Sequence, residues 1–220
     1  MAFSEEFVPL TPVNFFQISA DCAYLPRSKE QKFPCISRTE APKRLLPDTS
    51  HLCGEESFAE VSIGWNEEGI EAYLQVNSSF KRVFYPEIDR GDSVELFIDT
   101  RDVKTAGFNT RFCHHFFFLP EGMHGHFAGE ITRFRTEDVH PICDAKELKV
   151  KSLLQSSGYT LNIFIPCHCL YGYDPDQFNR LGFSYRINRT EGFSQHFTVT
   201  TDDFPIEQQP SLWGSLKLIK

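Results

Sequence analysis

Alternation of apolar and polar residues predicts β-strands along most of the chain. The pattern is clearest in Gly91–Asp102 (GDSVELFIDTRD), where every second residue from Val94 to Ile98 is aliphatic. A period of two is that of a strand with one face in a core and the other face outside it. Glu95 and Asp99 are therefore predicted to point away from the core.

Similar alternating segments follow one another along the chain and are separated by turns. Two β-hairpins are predicted, one across Asn66–Gly69 and one across Gln155–Gly158. Further strands are predicted in Arg111–Leu119, Glu130–Arg135, Leu181–Asn188, Gln195–Val199 and Ser215–Ile219. The sequence shows no amphipathic helix of three or more turns. Many short strands of this kind predict an all-β fold, namely an antiparallel jelly-roll-like β-sandwich of two sheets.

The first 57 residues lack this regular period. Val13–Ser19 and Phe33–Ser37 are candidate short strands, whereas Ala41–Asp48 mixes Pro, Lys and Arg without a clear pattern. We therefore predict a loop-rich N-terminal arm over residues 1–57 that packs on one sandwich domain over residues 58–220.

The composition is that of one large domain and argues against some classes of binding partner. The chain has 220 residues, of which 40% are hydrophobic, with 22 Phe and only 2 Met. An aromatic-rich core suits sheets, and Trp65 and Trp213, inside periodic strand patterns, are expected to be core residues. The net charge of −8 argues against nucleic acid or an anionic membrane surface as a partner.

Targeting signals and cysteine usage favour the cytoplasm. The N-terminal residues are acidic where a signal peptide needs basic residues, and no apolar run follows them. No segment is long enough to span a membrane. The seven cysteines are odd in number and lack framework spacing, which predicts reduced thiols.

Four pieces of the chain resemble, in this order, the family 9 carbohydrate-binding modules and the wider DOMON-like sandwiches. The pieces are Val61–Trp65 with Gly69–Val76, Gly91–Asp99, Gly158–Pro166 with Leu181–Asn188, and Trp213–Lys220. The resemblance implies a non-catalytic sandwich that binds the ends of sugar chains, often with structural calcium. Family members hold the sugar between two tryptophans and bond its hydroxyls with charged and amide side chains.

The resemblance and the strand pattern together give a candidate ligand-binding set. Glu95 corresponds to the glutamate of the family's DSVE strand, which contacts sugar hydroxyls. Tyr85 and Phe204 are the aromatic residues available near the positions of the two clamp tryptophans. Arg111 and His115 would share a face with Glu95 if their strand pairs beside it. An arginine there would suit an acidic sugar, because its planar fork matches a carboxylate.

Metal binding is a competing interpretation. Asp92 and Asp99, together with Glu95, could bind calcium, or the two aspartates could simply be turn and strand-end residues. No cofactor is required by the sequence pattern itself.

The next predicted strand and turn contain cysteine, histidine and methionine, which are softer metal ligands than carboxylates. Cys113 and His115 with His124 or His126 could hold zinc, and Met123 with a histidine could hold haem, as in some DOMON domains. These spacings match no recognised metal signature.

Three functions are therefore open from the sequence. The first is a non-catalytic module for carbohydrate or another small polar ligand. The second is a metal- or haem-binding sandwich. The third is a structural or interaction domain whose sugar site has been lost. The sequence contains no nucleophile elbow, phosphate loop or convincing catalytic triad, so we do not predict an enzyme.

Overall fold

The structure is a computed structural model that describes residues 17–26, 33–200 and 204–220. Eleven strands in these ranges form one continuous sheet. The strands are β1 (Ser19–Tyr24), β2 (Ala59–Asn66), β3 (Gly69–Val76), β4 (Ser93–Asp99), β5 (Cys113–Met123), β6 (His126–Glu130), β7 (Lys149–Gln155), β8 (Gly158–Pro166), β9 (Arg180–Asn188), β10 (Gln195–His196) and β11 (Gly214–Ile219). The helical segments are α1 (Ser50–Cys53) and 3-10 turns at Ala41–Arg44, Ile88–Arg90, Ala145–Glu147, Cys167–Cys169, Ile206–Gln208 and Pro210–Leu212.

The sheet folds back on itself and nearly closes. Its strand order is β6-β5-β4-β9-β11-β1-β2-β3-β8-β7, and β10 pairs with β9 outside this order. Near one end of the order β5 approaches β7 and β8, so the two halves of the sheet face each other. The main core lies between them and includes Val94, Leu96 and Ile98. The predicted all-β sandwich is confirmed, with antiparallel pairing throughout except at β1.

Both predicted hairpins are present. Asn66 pairs with Gly69 where β2 turns into β3, and Gln155 pairs with Gly158 where β7 turns into β8. Gly69 has φ +144°, and a Cβ there would overlap the carbonyl oxygen of Ile165 on the neighbouring strand. Glycine is therefore required at this corner, because only glycine adopts that backbone conformation without strain.

The N-terminal region contributes a strand that the sequence pattern did not reveal. Ser19–Tyr24 forms β1, which lies between β11 and β2 and runs parallel to both. The predicted strand Val13–Ser19 lies mostly outside the described residues. The predicted strand Phe33–Ser37 is wrong, because these residues form loop structure around Pro34. The division into an arm and a domain at residue 57 stays a prediction.

The chain leaves the sheet after β6 instead of continuing as a strand. β6 ends at Glu130, so the predicted strand Glu130–Arg135 is wrong beyond its first residue. The following loop, residues 131–144, is tied down by a disulfide between Cys143 and Cys169. The prediction of reduced thiols is therefore wrong for this pair. The cytoplasmic location stays a prediction.

No helix in the described part of the chain has the length and apolar character needed to cross a membrane.

Candidate functional site

The outward face of β4 is covered instead of open to solvent. Every residue of Ser93–Asp99 is buried. Glu95 and Phe97 point away from the main core, as predicted, but a second apolar cluster that contains Phe97, Ile206 and Trp213 packs over this side of the sheet. Glu95 is therefore outside the main core but still fully buried, with a relative exposure of 0%.

Glu95 is the centre of a polar cluster built from three neighbouring strands. Its carboxylate accepts hydrogen bonds from Nε2 of His115 at 2.7 Å and from Nδ2 of Asn188 at 2.6 Å. Arg186, which pairs with Glu95 across β4 and β9, donates from Nε at 2.7 Å and from Nη2 at 2.8 Å. Four donors of this kind satisfy both carboxylate oxygens.

These contacts keep Glu95 ionised inside the protein. Burial alone would raise the pKa of its carboxyl group, but the hydrogen bond from His115 and the charge of Arg186 outweigh burial and hold the pKa well below its usual range. Burial also acts to lower the pKa of Arg186, and the adjacent Glu95 reverses this and raises it. The pair is therefore a fixed ion pair, in which Glu95 orients the guanidinium group.

The guanidinium group of Arg186 is the partly exposed member of this polar cluster. Its side chain is 14% exposed, whereas that of Glu95 is 1% exposed. Nε and Nη2 are taken by Glu95, and Nη1 makes no hydrogen bond within the described ranges. The acidic groups of Asp89 and Glu207 both act on Arg186. We refer to the region around this guanidinium, together with the segments 85–90 and 204–208 that carry these two acidic groups, as the Arg186 cleft.

Each predicted aromatic residue lies in one of these two segments. Tyr85 is half-buried and stacks on His126 with ring centroids 4.2 Å apart. It also packs at 5.7 Å against Phe117, which pairs directly with Glu95 across β4 and β5. Phe204 is half-buried and packs on the second apolar cluster. Sugar contact by Tyr85 and Phe204 stays a prediction.

The two tryptophans are core residues, as predicted. Trp65 is 2% exposed and Trp213 is 1% exposed. The indole N–H of Trp213 donates to the carbonyl oxygen of Ile206 at 2.8 Å. Trp213 therefore anchors the segment 204–208 that borders the cleft, although it does not line the cleft itself.

Arg111 does not share a face with Glu95. It lies in the turn before β5, is exposed, and pairs with Asp138 in the loop after β6. The strand begins only at Cys113, so the two-residue period that linked Arg111 to His115 is broken by the turn. The structure brings Arg186 to Glu95 in its place, whereas His115 is where the pattern predicted it.

Sequence reasoning missed Arg186 and Asn188 although a signal for them was present. In LGFSYRIN, Arg186 and Asn188 occupy the alternate positions opposite to the apolar residues Tyr185 and Ile187. Their strand also carries the family resemblance. What the pattern could not give was the pairing of β9 with β4, which joins residues 91 positions apart.

Asp92 and Asp99 satisfy backbone groups at opposite ends of β4. Asp92 accepts from the amides of Lys81 and Arg82 at 3.1 Å. Asp99 accepts from the amides that follow it, including that of Val103 at 2.7 Å. At about 3.3 Å per residue they lie about 23 Å apart along the strand, so they cannot share one calcium ion with ligand distances near 2.4 Å. The joint calcium site is wrong, and binding at either one stays a prediction.

The predicted zinc ligands have other partners. His115 bonds Glu95, and Cys113 is buried in the second apolar cluster beside Phe97. His126 stacks on Tyr85 and pairs with Met123 across the β5–β6 hairpin. In the part of the chain that the structure describes, these residues do not form a group of three that could hold a metal ion.

A second cleft opens between the strands at the two ends of the sheet. It has a volume of about 280 Å³ and lies between residues 125–128, at the start of β6, and residues 145–150, before and within β7. Phe127, Leu148 and Val150 line it, and Lys146 is the charged residue in its wall. Sugar hydroxyls need several fixed polar partners, and the residues that line this β6–β7 cleft are mostly apolar.

Comparison with known proteins identifies the family to which the chain belongs. The chain belongs to the carbohydrate family 9 binding domain-like family, whose model matches residues 48–220. None of the curated protein sequences matches it significantly.

Solved structures of low sequence identity share the fold. A family 9 carbohydrate-binding module from Caldicellulosiruptor kristjanssonii in complex with cellotriose has a TM-score of 0.64 and 15% identity, over 91% of this chain and 93% of that one. The same module in complex with glucose has a TM-score of 0.64 and 14% identity, over 91% and 95%. A protein from Bacteroides uniformis has a TM-score of 0.60 and 9% identity, over 93% of this chain and 100% of that one.

Proposed function

We propose that this domain binds carbohydrate without catalysis and that the ligand lies in the Arg186 cleft. One observation carries the proposal: the buried Glu95 fixes the guanidinium group of Arg186, whose Nη1 is left to bind a ligand. A donor held in place before the ligand arrives loses little conformational entropy on binding, which favours affinity for a small polar molecule.

The surroundings of Arg186 suit a sugar ring. Hydroxyl groups of the ligand would accept from Nη1 and donate to the carboxylates of Asp89 or Glu207, which border the cleft. Tyr85 would offer a ring face to the apolar C–H surface of the sugar. The cellotriose and glucose bound by the related module are ligands of this chemical type.

The local charge favours a neutral sugar over an acidic one. The positive charge of Arg186 is already matched by Glu95, and Asp89 and Glu207 add negative charge to the rim. A carboxylate on the ligand would be repelled by these groups. A neutral sugar therefore replaces the acidic sugar that was expected from Arg111.

The state of Glu95 supports a binding role over a catalytic one. A general acid must hold a proton near neutral pH, whereas Glu95 has a strongly lowered pKa. A nucleophile or base needs a free lone pair, and the oxygens of Glu95 are occupied by four donors.

Arginine variants test the proposal by calorimetry with cellotriose. Arg186→Met is expected to weaken binding at least about tenfold, because charge-assisted hydrogen bonds are worth about 1.5–3 kcal/mol. Arg111→Met removes an exposed arginine that pairs with Asp138 and should bind like the wild type.

Glucuronate should bind more weakly than glucose to the wild type.

A folding control makes this comparison decisive. Arg186→Lys keeps the positive charge beside Glu95 but loses the fork geometry, so it should stay folded, as shown by circular dichroism, and still bind poorly. Equal affinity of wild type and folded Arg186 variants would reject the Arg186 cleft as the site. A wild-type protein that binds none of these sugars would count against carbohydrate binding itself.

A further inference from the structure

A second buried polar cluster lies on the other face of β5. It contains His114, Glu130 at the end of β6, and His140 in the loop 131–144. The side chains of His114 and Glu130 are 0% exposed and that of His140 is 1% exposed. One nitrogen from each histidine and one oxygen from Glu130 lie within 4.8 Å of one another.

One oxygen of Glu130 has more close partners than it can accept as hydrogen bonds. Oε1 lies 2.8 Å from Nδ1 of His114, 2.7 Å from Nε2 of His140 and 2.7 Å from the hydroxyl of Thr132. A carboxylate oxygen offers about two lone-pair positions. A cation bound between the two imidazoles and Oε1 would leave the second position of Oε1 for Thr132.

The orientation of His140 presents a lone pair to this point. Its Nδ1 lies 2.8 Å from the backbone carbonyl oxygen of Arg111, so Nδ1 must carry the proton that this contact requires. The neutral ring then has its lone pair on Nε2, which faces Glu130. Two lone pairs at 2.7 Å repel unless a proton or a metal ion lies between them. A carbonyl that fixes the outer nitrogen in this way is the usual support for a metal-bound histidine.

His114 shows a related pattern. Its Nε2 is buried and has no hydrogen-bond partner among the described residues. A proton on Nε2 again leaves the Nδ1 lone pair facing Glu130. Without a metal, the Nε2 lone pair of His140 faces Oε1 of Glu130, and a neutral His114 that donates from Nδ1 leaves its Nε2 unsatisfied, which is costly.

We propose that His114, Glu130 and His140 bind one divalent first-row transition metal ion, with zinc as the ion to be tested. Two imidazoles and one carboxylate are a donor set that zinc uses in proteins, with a further position for water. The remaining oxygen of Glu130 accepts from the amide of Cys143 at 2.8 Å, which orients the carboxylate.

The location points to a structural metal that holds the loop 131–144 against the sheet. Phe134 and Tyr171 pack on the ring of His140. The disulfide between Cys143 and Cys169 fastens the same loop. A site this well enclosed is suited to a permanent ion more than to exchange with a substrate. This proposal does not depend on sugar binding.

The test uses the full chain stripped of metal with a chelator, treated to alkylate accessible thiols, and titrated with Zn²⁺ alone. We expect one zinc per chain by elemental analysis after gel filtration, and a rise in thermal midpoint with added zinc, since binding to the native state stabilises it. Replacement of Zn²⁺ by Co²⁺ should give visible absorption bands.

Variants locate the ion. His140→Ala and Glu130→Gln should each weaken zinc binding by at least about 100-fold, because even outer partners of metal ligands cost 10- to 100-fold. His168→Ala is the matched control, since His168 has a side chain 60% exposed and pairs with Glu147; it should bind zinc like the wild type. Wild-type protein without stoichiometric zinc, a result that requires no variant to fold, would overturn the proposal. Unchanged affinity in folded His140→Ala would do the same.

Discussion

Replacement of Glu95 by alanine is expected to lower the free energy of unfolding by about 3–5 kcal/mol, because it leaves Arg186 buried without its counter-charge. His115 and Asn188 would lose their acceptor in the same step. For a chain of this length each kcal/mol shifts the thermal midpoint by about 2–4 °C. We therefore expect a drop of roughly 10 °C or more, measured by calorimetry or circular dichroism.

Glu121→Ala is the control for this substitution. Glu121 lies on β5 as well, but it is exposed, so its replacement should change stability by less than about 0.5 kcal/mol. A similar small effect at Glu95 would mean that the ion pair with Arg186 is not formed in solution.

The pH dependence of stability gives an independent check on Glu95. Its pKa is lower in the folded protein than the ordinary value of 4.5, so the unfolded state binds the proton first as pH falls. The stabilisation from Glu95 is therefore complete above about pH 5 and is lost progressively below the unfolded-state pKa. Glu95→Gln should flatten this acid decline in a denaturant titration, and an unchanged slope would contradict the lowered pKa.

Replacement of Trp213 by alanine should also be strongly destabilising, by about 3–5 kcal/mol, as for other buried tryptophans. Trp213 packs against Phe97 with centroids 5.7 Å apart and bonds the carbonyl of Ile206. Its loss removes the support of the segment 204–208, so the carbohydrate affinity should fall together with stability. Both are measured on the same sample, by denaturant unfolding and by calorimetry with cellotriose.

A substitution at Trp65 separates the effect on stability from the effect on carbohydrate binding. It is equally buried, but its indole N–H bonds the carbonyl of Ile219, on the last strand of the chain. Phenylalanine keeps an aromatic ring and removes the indole N–H in either position. We expect Trp213→Phe to weaken cellotriose binding and Trp65→Phe to leave it unchanged while both lose stability. Equal effects on binding would show that Trp213 does not position the border of the cleft.

The alternation of apolar and polar residues correctly predicted the features that depend on a single strand or turn. The alternation in β4 gave the correct direction for Glu95, and the turn residues gave both hairpins. The burial of Glu95 was not predictable, because it comes from the segment that crosses the outer face of the sheet. Ile206 and Trp213 pack on this outer face, although they lie more than 100 positions from Glu95 in the chain.

Pairing between distant strands decided which candidate residues meet. Arg111 and Arg186 are equally plausible in sequence, and only the pairing of β9 with β4 selects Arg186. The metal cluster was missed for the same reason. His140 lies in a loop without any period, and it reaches His114 only because the chain leaves the sheet after Glu130.

The most direct measurement is an NMR titration of the arginine Nε–H signals with cellotriose. We predict that the signal of Arg186 shifts progressively to saturation while that of Arg111 stays in place. An Arg186 signal that stays unchanged at saturating sugar would contradict binding at this guanidinium.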